Sequence, residues 1–543
     1  MKNNITLLVF AIALLLGPIL FPSAASNFAL VAGAKAQSPN VLVIVADDLG
    51  VDPLAAYLGA RRTASTPTID SLIGEGVLFE STFAPPMCTP SRAAMLTGQY
   101  GVKTGVLGVP GTLDTIYHTL FREVERLQPG VYANAVIGKW HLNQQRDPND
   151  PARHGVQHFN GIVSGGVRDY FNWEKSINGT ISSESDYTTS VFTNEAIDWI
   201  AQQNQPWLLW LAHVAPHAPY HVPPTGLFTT QNTNSDLGKY IAMIESLDAE
   251  MARLFSTLTT SQKENTVILF VGDNGTPNAV LQEYPNGHGK ATLYQGGVRV
   301  PFVISGAGVT RKGEREGALV HVADIFSTVL GLTGSTQSSG MLNSLNLSPY
   351  LTGGQRENRI FNYSEFANAT SNEWTIRSNQ YKLITFDDAT QEFYDLRVDS
   401  LETNDLLAGG LSPSLQTIKA DLEAEAAQQQ DDYSCRDLIQ NGDEQGIDCG
   451  GVFCSPCTLS TTSAIDIKVQ LSPNPTTDLL YIQSTEGVIK YVELFDIHGR
   501  LLRRVTGVNS QKVRLSLADT IPQTLYVRMR IGDQLVVRQV VKQ

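Results

Sequence analysis

The chain has 543 residues, of which 42% are hydrophobic and 17% are charged. This length allows three or four domains with a large buried core, and this composition excludes a disordered, low-complexity or collagen-like chain. The formal net charge is −14, although residues 464–543 alone carry +4, which leaves −18 for residues 1–463. A chain this acidic is not expected to bind nucleic acid.

The N-terminus has the pattern of an export signal. Lys2 precedes an apolar run at 5–21, and small-residue cleavage sites follow before residue 37. We therefore predict that residues 1–36 are a signal peptide and leader and that the mature protein is exported. A membrane anchor is the alternative, but Gly17-Pro18 interrupts the run. No later stretch has the ~20 apolar residues that a membrane span needs, so we predict no transmembrane span.

Residues 37–340 have the pattern of an α/β domain. Short apolar runs recur along this segment, and they are continuous rather than alternating. Continuous runs indicate strands that are buried on both faces, as in a mainly parallel sheet. Helices are predicted in the intervals, notably at 188–202 and 236–257. The predicted strands lie at 41–45, 132–137, 207–211, 267–271 and 300–304.

The pattern changes after residue 340. Residues 341–430 contain shorter strands separated by polar turns, which predicts a small antiparallel subdomain. A cysteine-rich segment at 431–460 follows, and residues 464–543 are short alternating strands, which predict a separate all-β sandwich. Within the subdomain, the predicted strands are 374–377, 381–384 and 392–396, and a polar helix is predicted at 415–430.

Four of the five cysteines lie in the cysteine-rich segment. In an exported protein they would form two disulfides, in any of three pairings. Zinc binding is the alternative, because Cys454 and Cys457 have the spacing of a ligand pair. Cys88 stands alone far upstream and needs its own explanation. The four clustered residues are Cys435, Cys449, Cys454 and Cys457.

Polar residues follow four of the predicted strands. Each alone has an ordinary explanation, as a helix cap, a turn or a solvated loop. Ligands of open α/β sheets, however, bind beyond the carboxyl ends of the strands, where such residues would meet. Carboxylate and amide oxygens favour a hard cation such as Ca²⁺ or Mg²⁺, and nearby basic residues would hold an anion, which together predict hydrolysis of a phosphate or sulfate ester. The oxygen donors are Asp47, Asp48, Asp273 and Asn274, and the basic residues are Lys139, His141, His217 and Lys290.

Cys88 distinguishes between the two esters. It begins the segment Cys88-Thr89-Pro90-Ser91-Arg92, which Leu96-Thr97-Gly98 follows. This segment resembles the signature of formylglycine-dependent sulfatases, which are members of the alkaline phosphatase superfamily. The resemblance covers about residues 39–410 and implies an alkaline-phosphatase-like core. One departure is Gln295, where the family more often has Glu, and we expect this residue to support its loop.

The resemblance implies how the nucleophile and the metal are provided. A maturase would convert Cys88 to formylglycine, also called 3-oxoalanine. One hydroxyl of the aldehyde hydrate would attack sulfur, and collapse of the hydrate would later expel sulfate. One Ca²⁺ ion would be held by Asp47, Asp48, Asp273 and Asn274, together with the modified Cys88, and Asp273 could also accept the hydroxyl proton.

The family's catalytic roles map onto matching basic residues. Arg92 and Lys139 would steady the hydrate, and His141 would assist the elimination. Lys290 would bind the sulfate oxygens and offset charge in the transition state. His217 would protonate the leaving alcohol.

Two further histidines lie close to these residues in the sequence. His213, four residues before His217, is the rival for the role of general acid. His288 precedes Lys290 by two residues and is expected only to line the pocket.

The tail at 464–543 resembles the C-terminal type A sorting domain of type IX secretion in Bacteroidetes. The resemblance rests on residues 471–476, 492–500 and the strands near the end of the chain, and it departs at Leu525, where Gly is usual. It implies recognition by the type IX secretion machinery and a place in the periplasm, at the cell surface or outside a Bacteroidetes-like bacterium. A glycan-binding β-sandwich is the alternative.

These observations predict an exported sulfatase that hydrolyses sulfate esters, with a sulfated polysaccharide or oligosaccharide as its substrate. A phosphodiesterase or phosphonate hydrolase of the same superfamily is the first alternative. A non-catalytic glycan-binding protein on a sulfatase scaffold is the second, and the complete oxygen donor set together with Cys88 argues against it.

The isolation of Cys88 and its signature generate a testable prediction. In protein produced with a maturase, we expect the sulfur of Cys88 to be replaced by a carbonyl oxygen, which peptide mass spectrometry would detect. Cys88→Ala should abolish turnover. Full activity in protein whose Cys88 is entirely thiol would contradict the prediction.

Overall fold

The computed structural model describes residues 38–543, apart from several gaps. The predicted signal peptide, the four clustered cysteines and the linker after them lie outside the described residues. Within the described part, Cys88 is a buried free cysteine, and no helix there has the length and apolar character needed to cross a membrane. The gaps are 58–60, 336–342, 356, 368–371, 432–468, 486, 497–500, 506–507, 518–519, 521–522, 532–533 and 543.

A ten-stranded sheet forms the centre of the larger part of the chain. Its spatial order is β10-β2-β9-β8-β1-β7-β3-β4-β5-β6. The central strands β8, β1, β7, β3 and β4 are mutually parallel. The strands are β1 (Asn40–Ala46), β2 (Gly76–Phe83), β3 (Ala133–Lys139), β4 (His158–Ile162), β5 (Trp173–Ile177), β6 (Thr180–Glu184), β7 (Trp207–His213), β8 (Thr266–Gly272), β9 (Phe302–Gly306) and β10 (Glu314–His321).

Helices cover both faces of this sheet. Helices α2, α4 and α10 contribute to the core on one face, and α1, α6 and α7 contribute to the core on the other. Two single turns of 3₁₀ helix lie at Asn278–Val280 and Leu406–Gly409. The α-helices are α1 (Pro67–Gly74), α2 (Cys88–Thr97), α3 (Gly101–Thr104), α4 (Leu120–Leu127), α5 (Asp150–Arg153), α6 (Thr188–Ala201), α7 (Asp236–Thr257), α8 (Thr260–Glu264), α9 (Gln295–Val298), α10 (Asp324–Leu332), α11 (Ser348–Thr352) and α12 (Pro413–Asp431).

Strand β1 shows why the strands read as continuous apolar runs. Successive side chains of a strand point to opposite faces of the sheet. Val41 and Val43 accordingly belong to one core, whereas Leu42 and Ile44 belong to the other. Every residue of β1 is buried. The prediction of an α/β fold with a mainly parallel sheet is therefore confirmed.

Some strands on either side of the central five run antiparallel to their neighbours. Strand β9, which overlaps the predicted strand at 300–304, runs antiparallel to both β2 and β8. Strands β5 and β6 form an antiparallel hairpin. Strand β6 is largely exposed, and it therefore lacks the apolar run by which the central strands were predicted.

A four-stranded antiparallel sheet follows, in the order β11-β12-β13-β14. Helix α12 packs on it through Leu422 and Ala426, which share a small core with Ile376, Leu383 and Phe393. This arrangement agrees with the predicted antiparallel subdomain and its polar helix. The strands are β11 (Asn362–Ala367), β12 (Asn372–Arg377), β13 (Tyr381–Thr385) and β14 (Gln391–Asp395).

Residues after 468 form two antiparallel sheets around a core of their own. The sheets have the orders β15-β16-β19 and β18-β17-β20-β21. Side chains of both sheets, such as Leu480 and Val492, belong to one hydrophobic cluster, which confirms an all-β sandwich. Its strands are β15 (Val469–Ser472), β16 (Leu479–Ser484), β17 (Ile489–Asp496), β18 (Leu501–Val505), β19 (Lys512–Ser516), β20 (Gln523–Ile531) and β21 (Gln534–Lys542).

A buried glutamate on β11 makes the stability of the fold depend on pH. The Glu365 Oε1 atom accepts a hydrogen bond from the Val102 amide of α3 at 3.1 Å. Burial raises the pKa of Glu365 to about 7. Between about pH 4.5 and pH 7, the unfolded chain ionises at this residue while the folded protein keeps its proton. Folding stability should therefore fall as the pH rises through that window, by up to about 3 kcal/mol.

Glu365→Gln should remove this contribution. We expect the melting temperature of the wild type to fall relative to that of the variant from pH 5 to pH 7, measured by circular dichroism at each pH. Parallel pH profiles for the two proteins would show that Glu365 does not titrate in this range.

Candidate active site

The register of three central strands creates the site. Ala46, the last residue of β1, is paired with Gly272 of β8 and with His213 of β7. The chain after β1 therefore lies beside the chain after β8, and the Asp273 amide donates to the Ala46 carbonyl at 3.1 Å. Asp47 and Asp48 thus meet Asp273 beyond the carboxyl ends of these strands, as the sequence predicted.

These three aspartates form a compact buried cluster. One carboxylate oxygen from each lies within 4.8 Å of the others. Asp48 has a φ of 66°, a left-handed conformation that Asp tolerates better than most residues. Its amide donates to Asp273 Oδ1 at 3.0 Å, and its carbonyl accepts from the Tyr240 hydroxyl at 2.8 Å. The Asp48 turn is therefore held from two sides.

Three cationic side chains neutralise the cluster. The Arg92 guanidinium donates to Asp273 Oδ2 at 2.8 Å, and the Lys139 ammonium lies 2.6 Å from Asp47 Oδ2. The Lys290 ammonium lies 2.5 Å from Asp48 Oδ1. Buried charges are stable only when they are paired in this way. Arg92 and Lys139 thus contact carboxylates directly, in addition to the roles that the family resemblance implies for them.

The charges shift the acidities of the aspartates in opposite directions. Burial alone would raise the pKa of Asp47, but the positive charges of Lys139, His217 and Arg92 outweigh burial and hold that pKa well below its usual range. Burial and the neighbouring Asp47 charge raise the pKa of Asp273 to about 6. Of these two carboxylates, Asp273 has the higher pKa.

The oxygen atoms at the cluster fit a divalent cation. Asp47 Oδ1 and Asn274 Oδ1 are buried, and neither has a hydrogen-bond partner among the described residues. The Asn274 amide nitrogen donates to Asp48 Oδ1 at 2.8 Å, so the side chain is held at the cluster. A buried oxygen without a partner is costly unless a ligand satisfies it. The donors are all oxygens, which suits Ca²⁺ or Mg²⁺.

Cys88 lies at the first turn of α2, a helix that is buried along its whole length. Its sulfur is 3.2 Å from His141 Nδ1. Burial raises the pKa of the Cys88 thiol, so an unmodified Cys88 would be a poor thiolate nucleophile. This environment agrees with a role for the residue in another chemical form.

His141 lies opposite Cys88, in surroundings that disfavour the charged form of its ring. Burial, together with the charges of Lys139 and Arg92, lowers the pKa of His141 to about 2. The residue adopts a left-handed φ of 57° directly after β3 and Trp140, which turns the chain out of the sheet. A neutral imidazole at this distance can exchange a proton with a group at position 88.

The two candidates for the general acid differ in whether they reach the cavity. His217 lines a cavity that Cys88 and Lys290 also line, here called the main cavity. Its Nδ1 atom donates to the Ala218 carbonyl at 2.6 Å. Its Nε2 atom therefore faces the site, 3.7 Å from Asp48 Oδ2. His213 is fully buried at the end of β7, does not line that cavity, and has a pKa lowered to about 3 by burial. The geometry thus favours His217.

His288 does not occupy the expected position. Its ring stacks on Tyr294 with the centroids 3.6 Å apart, and it is not among the residues that line the main cavity. Gln295, the departure from the family pattern, is buried, and its backbone amide donates to Glu402 Oε2 at 2.5 Å. Glu402 also pairs with Lys382 of β13 at 2.5 Å, so the backbone at Gln295 is connected through Glu402 to the antiparallel sheet.

The cavity has a volume of about 820 Å³, and Cys88, His141, His217 and Lys290 lie on its wall. The remaining residues of that wall come from loops whose shape is set by packing, which the sequence pattern does not show. The additional lining residues include Asn143, Gln144, Arg146, Ser164, Gly165, Gly166, Arg168, Asn172 and Glu174.

Comparison with protein families identifies this arrangement. Residues 39–335, more than half of the chain, match the sulfatase family. The chain belongs to the sulfatase family. Sulfatases are sulfuric ester hydrolases, and members of this family generally carry a formylglycine and a divalent metal. Residues 287–432 also match the C-terminal region of N-sulphoglucosamine sulphohydrolase.

Individual relatives agree with this membership. The sulfatase is 30% identical over 374 residues to N-acetylgalactosamine-6-sulfatase of Canis lupus familiaris, which covers 61% of this chain and 69% of the relative. It is 24% identical over 425 residues to an arylsulfatase of Klebsiella aerogenes, with coverage of 58% and 91%.

Two solved structures share the fold of this sulfatase. One is Ps i-CgsB in complex with k-i-k-neocarrahexaose, with a TM-score of 0.64, 24% identity, and coverage of 73% of this chain and 95% of that chain. The other is a protein in complex with its substrate D-glucosamine-2-N,6-O-disulfate, with a TM-score of 0.60, 19% identity, and coverage of 74% and 99%.

The aspartate cluster generates a prediction about Asp273. We expect Asp273→Asn to lower kcat by ~10³-fold or more, because it removes a negative metal ligand and a proton acceptor together. Steady-state kinetics and metal content of the purified variant would be measured. Asp248→Asn, which changes another buried carboxylate on α7, is the matched control and should keep its activity.

Near-normal turnover by Asp273→Asn, or full wild-type activity after exhaustive chelation, would contradict this assignment. A melting temperature close to that of the wild type is needed to separate lost chemistry from lost folding.

Proposed function

We propose that the protein is an exported sulfatase that hydrolyses sulfate esters of a sulfated polysaccharide or oligosaccharide. The observation that carries the proposal is the position of Cys88, at the start of α2 and on the wall of the same cavity as His141, His217 and Lys290. The buried aspartate cluster lies directly behind Lys290 and His217. A nucleophile position, a cation site and an acid thus meet at one cavity.

Two groups would be added to this chain to complete the site. Asp47, Asp48, Asp273 and Asn274 would hold Ca²⁺, which would polarise a sulfate oxygen and increase the acidity of a hydroxyl bound beside it. Formylglycine at position 88 would supply that hydroxyl as the nucleophile, after conversion by a maturase.

The chain's own residues would then hold and move protons. Asp273 would accept the proton of the attacking hydroxyl. His217, whose Nδ1 is fixed by the Ala218 carbonyl, would donate from Nε2 to the leaving alcohol. His141 Nδ1 lies 3.2 Å from the sulfur of residue 88, and from this position it would assist the release of sulfate. Lys290 would bind a sulfate oxygen and offset developing negative charge.

The relatives support a glycan as the substrate. N-acetylgalactosamine-6-sulfatase is named for a sulfated sugar, and two proteins of the same fold were solved with neocarrahexaose and with a glucosamine disulfate. The size of the cavity also suits more than a single small ester, since it lies in the upper part of the range of small-molecule sites.

Export through the predicted signal peptide and the C-terminal β-sandwich completes the proposal. The sandwich has its own core, which suits a sorting domain that the type IX secretion machinery reads. The enzyme would then act in the periplasm, at the cell surface or outside the cell, where a polysaccharide is accessible. Detection of the enzyme in the medium of the native host, and its loss on deletion of residues 464–543, would test this step.

The sulfatase reaction is tested with the sulfate and phosphate monoesters of one phenol. A phosphate monoester is largely a dianion near neutral pH, whereas a sulfate monoester is a monoanion, so the two substrates differ in charge at the same leaving group. We expect kcat/KM for the sulfate to exceed that for the phosphate by at least about tenfold, or 1.4 kcal/mol of transition-state free energy. Cys88→Ala, produced in the same way, is the control for contaminating hydrolases.

A preference for the phosphate or for a phosphodiester would favour the alternative hydrolase. Absence of turnover in protein that demonstrably contains formylglycine would favour the glycan-binding scaffold. Sulfate release from a panel of defined sulfated oligosaccharides would then identify the sugar and the sulfated position.

A further inference from the structure

Two arginines at the wall of the cavity have no role in the chemistry described above. Arg146 follows β3, and Arg168 lies in the loop between β4 and β5. Both side chains are exposed and both line the cavity that contains Cys88. Neither guanidinium has a hydrogen bond or an ion pair with another described residue, in contrast to Arg126, Arg153 and Arg315, which each contact a carboxylate.

The backbone around Arg146 is fixed by a small network. The Arg146 amide donates to the Asn143 carbonyl at 3.1 Å. The Asn143 side-chain amide in turn donates to the buried Asp150 at 3.0 Å, and the Trp140 indole donates to the same carboxylate at 2.8 Å. Arg146 is therefore presented from a turn that is anchored immediately after His141.

The loop that carries Arg168 is packed against the catalytic histidines. A Cβ atom at Gly165 would lie 2.5 Å from His141 Nε2, and one at Gly166 would lie 3.3 Å from the His217 ring. The Tyr170 hydroxyl donates to the His217 carbonyl at 2.6 Å. These contacts leave no room for a side chain at Gly165, and they hold the loop in place beside the site.

We propose that Arg146 and Arg168 form a second anion subsite, which binds a negatively charged group on the substrate next to the sulfate that is cleaved. The subsite rests on the proposed sulfatase function and makes its substrate class narrower, since the preferred glycan must carry at least two anionic groups. Arginine suits this task because its planar guanidinium pairs with a sulfate or carboxylate through two parallel hydrogen bonds.

Electrostatics supports the presence of two arginines in this position. The chain carries a net charge of −14, so its general surface repels a polyanion, and only local positive charge can hold one. Lys290 is already paired with Asp48. Glu174 lines the same cavity and would repel an anion bound beside it.

The second group has two chemical sources, a sulfate ester or the carboxylate of a uronic acid. A test therefore uses three disaccharides that share one sulfate ester and differ in the neighbouring sugar, which is uncharged, sulfated or a uronate. Binding is measured by calorimetry in a Cys88→Ala background, so that no turnover occurs. The variants are Arg146→Gln with Arg168→Gln, the corresponding double Lys variant, and Arg397→Gln as an exposed control that does not line the cavity.

We expect the double Gln variant to weaken binding of at least one dianionic disaccharide by about tenfold or more, and binding of the singly charged disaccharide by much less. The double Lys variant should recover part of the difference, and Arg397→Gln should leave each Kd unchanged. The dianionic disaccharide whose binding is weakened identifies the second group as a sulfate or a carboxylate.

Equal weakening for all three ligands, or no change for any of them, would overturn the subsite. The proposed function is decided separately, by whether protein with Cys88 and formylglycine hydrolyses the singly sulfated disaccharide or an aryl sulfate. Absence of that hydrolysis would refute the sulfatase function, while the ratio of dissociation constants would still decide the subsite.

Discussion

The structure depends on the balance of buried charge at the carboxyl ends of the central strands. Three carboxylates, Asp47, Asp48 and Asp273, lie together out of contact with bulk water, and like charges so close repel each other strongly. Arg92, Lys139 and Lys290 each form an ion pair with one of these carboxylates. The set is therefore formally neutral, and a bound divalent cation would leave an excess of positive charge to attract an anionic substrate.

This balance explains why catalytic and structural roles overlap in several residues. Arg92 lies on the same helix as Cys88 and pairs with Asp273 across the site, so the charge pair joins the helix that carries Cys88 to the end of β8. Lys139 ends β3 and pairs with Asp47 after β1. Each pair joins two elements that are distant in the sequence. A change at one of these residues consequently affects both the cation site and the position of Cys88.

The rigidity of the site comes from the sheet that carries it. Strands β7, β1 and β8 are buried on both faces, and their register aligns Ala46 with His213 and Gly272. The loops that form the cavity wall are added to this frame and are fixed by individual contacts, such as those of Asn143 with Asp150 and of Tyr170 with His217. The aspartate cluster thus lies at the ends of buried strands, whereas the other residues of the cavity wall come largely from loops.

The amino-acid sequence alone determined much of this protein. Continuous apolar runs such as 41–45 predicted the buried parallel strands, because burial on both faces leaves no polar position in the pattern. The polar residues after those runs predicted the composition of the site, and the segment around Cys88 predicted the sulfatase family. The antiparallel direction of β9 and the hairpin of β5 and β6 were not predicted, because strand direction depends on pairing partners that a local pattern does not contain.

Only the tertiary structure decided between His213 and His217. His213 is the last residue of β7 and His217 follows that strand, and they differ because one ring is buried and the other lines the cavity. The same holds for His288, which stacks on Tyr294, and for Arg146 and Arg168, which the fold brings to one cavity from separate loops. Residue type and spacing specify what chemistry a side chain can perform. Whether it reaches the site depends on packing between residues far apart in the chain.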